Sequence, residues 1–242
     1  MDGTNGLGVI DRLGALRDRC VVVLASYGGS QALAAALGGL YFAFKSVKFV
    51  APLHDERMAE VGGQDAAGYF AETMVRSLHS AGDLLARAIV ECGYAKGDHI
   101  TGLNYAGTGT DALKQKVEGL LGLPAWKYVA AFANTTKHNA FIDRTSVSTA
   151  TSHEILFKEF ERGGTAQPER TFGEVVDDAQ QLMETVGDIL DWLRAAAPPS
   201  SLVLAIEAAQ HSSPVSITAT FTPPGTSDYI QSKRYEVEEP QG

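Results

Sequence analysis

The chain has 242 residues and a formal charge of −9. At about 150 residues per domain this is one large domain or two small ones. The 45% hydrophobic fraction supplies a sizeable core and excludes wholesale disorder, while the acidity excludes a general nucleic-acid coat protein, which carries a basic surface.

The two cysteines, Cys20 and Cys92, have no spaced partners. Neither a disulfide framework nor a zinc site is expected, and a cytoplasmic protein with reduced thiols is the simplest reading. No metal and no cofactor is expected.

Residues 1–10 are rich in Gly and Asn, and a flexible N-terminus is expected there. From Val21 to Phe44 no residue is charged, a run long enough to span a bilayer. The run is interrupted by Tyr27-Gly28-Gly29-Ser30, so it reads as two buried elements rather than a membrane span. Its Ala/Gly-rich part, residues 32–43, reads as close helix packing. Pro52 is expected to end or kink the helix that follows the break. Gly62 and Gly63 mark a loop.

Residues 66–93 give the clearest helix. Phe70, Met74, Leu78, Ala81, Leu85, Ala88, Ile89 and Cys92 recur at spacings of three and four. On the other side Glu72 faces Arg76 and Asp83 faces Arg87 at i,i+4. His79 is expected to be solvated on that charged face. A polar loop covers 96–110, with Thr110 or Asp111 as the cap of a short helix over 111–121. Its Gly-Thr-Gly-Thr lacks the Gly-Lys-Ser/Thr ending of a phosphate-binding P-loop. Pro124 suits the first turn of the next helix, expected over 125–142.

Residues 145–164 turn β-branched and hydroxyl-rich, and end at Gly163-Gly164. A β-hairpin is expected there. Thr171-Phe172-Gly173-Glu174 matches a capping box, and opens a helix with a long apolar stripe from Val175 to Leu193. Pro198-Pro199 ends it. Strands are expected at 215–221 and 229–237. The expected domains are a helical bundle over 11–197 and a C-terminal β appendage over 198–242.

The helix 125–142 carries the candidate chemistry. At 100° per residue, Trp126, Val129, Ala130, Phe132, Ala133 and Ala140 form an apolar arc. Lys127, Asn134, Thr135 and His138 gather on the polar side, with Asn134 and His138 neighbours at i,i+4. Lys137 falls inside the apolar arc and must snorkel or pair.

The run Ala133-Asn134-Thr135-Thr136-Lys137-His138 resembles the signature helix of the HEPN superfamily, the higher eukaryote and prokaryote nucleotide-binding domains. The family motif is an arginine, a polar residue, three variable residues and a histidine. Asn134 and His138 match it, and Ala133 stands at the arginine position. With His79-Ser80-Ala81-Gly82-Asp83, the run is similar to uncharacterised bacterial members that also lack the arginine. The resemblance covers roughly residues 35–195.

It implies a mainly α fold, a bundle of four to five helices with a β-hairpin insert and a small C-terminal β segment. It also implies a homodimer that binds RNA or a nucleotide. His138 would be the general acid/base of a metal-independent ribonuclease, and Asn134 would hold a phosphate or steady the histidine. Lys127, Lys137 and Arg144 would supply charge to the ligand. The missing arginine, the best bidentate phosphate clamp, implies weak or lost cleavage. Charge placement agrees with a local site. Residues 101–172 hold eight basic and seven acidic side chains, which leaves −10 on the rest of the chain. The alternative is a non-enzymatic interaction or scaffold module, with the C-terminal strands pairing to a partner.

Overall fold

The computed structural model describes residues 4–60, 62–138, 142–148 and 153–198. Among these residues the protein is mainly helical, with six α-helices and short antiparallel strands.

Helix α1 spans Thr4–Ser26. Val9, Leu13, Leu16, Cys20 and Val23 form its buried stripe. The helix begins at Thr4, inside the segment 1–10 that is expected to be flexible. Val9, 7% exposed, extends the same apolar period and draws the first turns into the helix. Arg12 holds Glu184 at 2.8 Å and Arg19 holds Asp191 at 2.9 Å, both across to the last helix.

Gly28 and Gly29 have φ of +77° and +67°, a left-handed backbone that side chains disfavour, and they reverse the chain. Ser30 then caps α2, Gln31–Met58, by accepting from the Leu33 amide at 3.1 Å. Pro52 lies inside α2 and does not end it. The proline sits on the solvent side, while Val50, His54 and Met58 are buried around it and hold the backbone helical. α2 is long and apolar enough to cross a membrane by length and composition. Its inner face, including Leu33, Leu37, Leu40, Phe44 and Val47, is buried in the bundle.

Helix α3, Gln64–Glu91, is the central packing element. Met74, Leu78, Leu85 and Ile89 are fully buried, as the sequence periodicity predicts. It packs along the length of α2. Gly39 of α2 permits the approach, since a Cβ there would lie 2.9 Å from Leu84.

Strands β1 (Ala95–Lys96) and β2 (Asn104–Tyr105) form a small antiparallel pair in the polar loop. Helix α4 spans Thr110–Gly122, capped by Gly109 rather than by Thr110 or Asp111. Thr110 instead donates to the Gly107 carbonyl at 3.1 Å. Helix α5 spans Pro124–Lys137 with Pro124 in its first turn.

The β insert is larger than one hairpin. β3 (Arg144–Ser148) pairs with β4 (His153–Phe157), in a register that sets Ser146 against Ile155. β5 (Phe160–Arg162) and β6 (Thr165–Gln167) make a second hairpin around Gly163 and Gly164. β7 (Arg170–Thr171) adds to β4 as a third strand. The correction has a local cause. Gly163 and Gly164, at φ of +59° and +77°, close their own tight turn instead of ending the first hairpin.

Helix α6, Phe172–Ala196, opens on the expected capping box. Thr171 accepts from the Glu174 amide at 3.2 Å, and Glu174 accepts from the Thr171 amide at 2.7 Å. At its far end the hydroxyls of Tyr27 and Tyr94 donate to the carbonyls of Leu193 and Ala196, each at 2.7 Å. These bonds satisfy acceptors that a helix end leaves open. The C-terminal strands expected beyond 198 lie outside the described residues.

Candidate polar site on the α3–α5 face

Helix α5 ends earlier than the sequence suggests, and this changes the candidate site. Lys137 is its last residue, and His138 is the C-cap with φ −94° and ψ 23°. His138 is exposed, and among the described residues no side chain bonds its ring to orient it. Asn134 is half-buried in the last turn. Thr135, expected on the polar side, is 7% exposed and its hydroxyl has no partner. Lys137 is exposed rather than part of the apolar arc. Thr135 shares the helix face of buried Tyr128 and Phe132, which draws it against the core, and Lys137 is exposed in the last turn.

Ala133 is fully buried. An arginine in that place would enter the core rather than the solvent. This position therefore could not present a phosphate clamp to solvent in this packing. Lys127 is exposed in the first turns of α5, well away from the other candidates along the helix axis.

The remaining candidates meet the outer face of α3. Arg144, on β3, lies across Gly68, where a Cβ would come within 2.5 Å of its Nε. It pairs with Glu72 at 3.5 Å, and Arg76 pairs with the other oxygen of Glu72 at 2.5 Å. One carboxylate thus sits between two guanidinium groups. His79, one turn past Arg76, stacks on Trp126 of α5, with ring centres 5.9 Å apart and planes 12° apart. Burial, then the nearby Lys137 charge, lowers its pKa. The imidazole is accordingly neutral at neutral pH. This corrects the expectation that His79 is solvated. Asp83, expected to face Arg87, reaches His99 at 3.2 Å.

The α3 face also carries a surface groove of about 300 Å³, lined by Tyr69, Glu72, Thr73, Arg76, Ser77 and Ser80. The three hydroxyls donate to carbonyls one turn back, at 2.9 to 3.1 Å, so their oxygens keep lone pairs facing outward. Tyr69 is 65% exposed beside them.

No protein family, curated protein or solved structure matches this chain. The assignment of a site therefore rests on the geometry.

That geometry brings Arg76 and Arg144 together at Glu72, which pairs with both, and places Lys137 near His79. Asp83 is answered by His99. The arrangement can hold an anion electrostatically. Among the described residues no side chain orients the His138 ring in the way that fixes a catalytic imidazole. Among the described residues no cluster of three metal-ligating side chains occurs.

The sequence reads Arg76 and His79 only as parts of a solvated charged face. A signal was present in Gly68 and Gly82. Glycine weakens a helix interior by about 1 kcal/mol, so two of them on one helix mark close approach of something bulky. Here that is Arg144 at Gly68 and Trp126 at Gly82.

Proposed function

We propose that the protein is a HEPN-like bundle that binds single-stranded RNA or a nucleotide through phosphate contacts at the α3–α5 face. Arg76, Lys137 and Arg144 are the phosphate-facing cations, and Tyr69 is the stacking platform for a base. The carrying observation is the pairing of Arg76 and Arg144 on Glu72, with Lys137 near His79 one turn further along α3, in a chain of net charge −9. Asn134 and His138 add hydrogen-bonding capacity at the rim. Binding without efficient cleavage is the consequence of the buried Ala133 and the unoriented His138.

The test is equilibrium binding of a labelled single-stranded RNA, followed by fluorescence anisotropy at low salt, with ATP as the nucleotide probe. Arg76→Ala combined with Lys137→Ala weakens binding about tenfold or more, and His138→Ala weakens it less. Three phosphate contacts give a slope of log K against log salt of about −2 on single strands. Wild-type protein that binds neither probe at low salt overturns the reading, as does binding that the double variant leaves intact.

A further inference from the structure

Helix α2 has a second apolar face, turned outward. Phe42, Phe49 and Leu53 are 53%, 55% and 37% exposed. Single exposed apolar residues are ordinary, but three large ones on one helix face mark an interaction surface. Positions 42, 45, 49, 52 and 56 alternate spacings of three and four, which is the seam of a coiled coil. The seam is not purely apolar. Lys45 lies in it, with its ammonium 5.3 Å from the ring centres of both Phe42 and Phe49. Glu56 lies in it three turns later. Among the described residues neither Lys45, Lys48 nor Glu56 forms an ion pair within its own chain.

We infer that this face pairs with the same face of a second copy, in antiparallel register about a two-fold axis between Val50 and Ala51. In that register Lys45 stands opposite Glu56 of the second copy, and Glu56 opposite its Lys45. Phe49 of each copy packs on Pro52 of the other between the two ion pairs. A two-fold interface must be self-complementary, and a basic and an acidic residue placed equidistant from the axis on one stripe meet that requirement. A parallel pairing would set Lys45 on Lys45 and Glu56 on Glu56, which repel. A lipid surface would have to take Glu56 into its contact zone along with the aromatics, at an electrostatic penalty.

Sedimentation equilibrium of the full chain tests this. Wild type sediments as a dimer at micromolar concentration. Lys45→Glu raises the dimer dissociation constant about tenfold or more. The double exchange Lys45→Glu with Glu56→Lys restores it to near wild type, because the pair is re-formed with its signs swapped. Phe49→Ser, at a solvent-exposed position, keeps the helical circular dichroism signal while shifting the chain to monomer. A wild-type monomer at about 100 µM overturns the inference, whether or not it floats with vesicles of phosphatidylcholine and phosphatidylglycerol. A dimer that Lys45→Glu leaves unchanged also overturns it, and so does a double exchange that fails to rescue.

Discussion

His54→Ala destabilises the bundle by about 4 kcal/mol, the largest single-site loss expected here. His54 is completely buried on the inner face of α2. Its ring stacks on Phe172, with centres 3.8 Å apart and planes 15° apart. Its Nε2 accepts the Ile155 amide of β4 at 3.2 Å. That amide is an obligate donor, so the protonated nitrogen is Nδ1, which donates to Asp55 at 3.1 Å. One side chain therefore ties α2, β4 and the start of α6 together. Truncation leaves a buried N–H without an acceptor and a cavity beside Phe172. For a chain of this size the melting temperature falls by about 8 to 16 °C.

The same geometry makes the joint sensitive to acid. Protonation would place a second donor against the Ile155 amide. Burial lowers the His54 pKa below its ordinary value, and the Asp55 carboxylate opposes this only in part. The unfolded chain then binds a proton that the folded chain refuses, so stability falls as pH drops below about 6.5 and is fully present above it. His79, lowered by its own burial, acts in the same direction. His54→Phe keeps the stack but removes the acceptor. It costs about 2 kcal/mol at neutral pH and flattens the acid limb, as read by urea unfolding between pH 5 and 8. A His54→Phe protein with the wild-type pH slope would show that the titration lies elsewhere.

Gly82→Val costs about 3 kcal/mol and also damages ligand binding. A Cβ at Gly82 would lie 2.1 Å from the tip of the Trp126 ring, and the ring itself is wedged between α3 and α5. Trp126 is rigid and 6% exposed, so the clash is relieved by moving α5 rather than by a rotamer change. Trp126 is also the ring on which His79 stacks. Displacing α5 carries Lys137 away from His79. Thermal melts and RNA titration of Gly82→Ala and Gly82→Val should therefore report graded losses together, with valine the worse. A variant that loses stability while binding RNA at wild-type strength would separate α5 docking from the site.

Much of the helical framework was legible in the chain. The stripe from Phe70 to Ile89, the Thr171–Glu174 box and the break at Gly28-Gly29 are local patterns, and each appears in place. What escaped depends on tertiary partners. The helix passes through Pro52 because buried neighbours outweigh a lost backbone bond. α1 reaches back to Thr4 because Val9 finds a core. The role of His54 is not legible in sequence, because its acceptor and stacking partners are residues 155 and 172. The candidate site was half legible. Lys137 and Arg144 come to the α3 face, whereas Lys127 stays apart on the first turns of α5. The place of Ala133 within the core depends on how α5 is rotated, and the short motif does not encode that rotation.

The most direct measurement is an amide chemical-shift titration of isotopically labelled protein with a short single-stranded RNA. The proposed site requires perturbations concentrated at Tyr69 to Ser80 and at Asn134 to His138, with little change along α1 or α4. Shifts centred on α4, or no shifts at saturating RNA in low salt, would contradict a phosphate-binding site on the α3–α5 face.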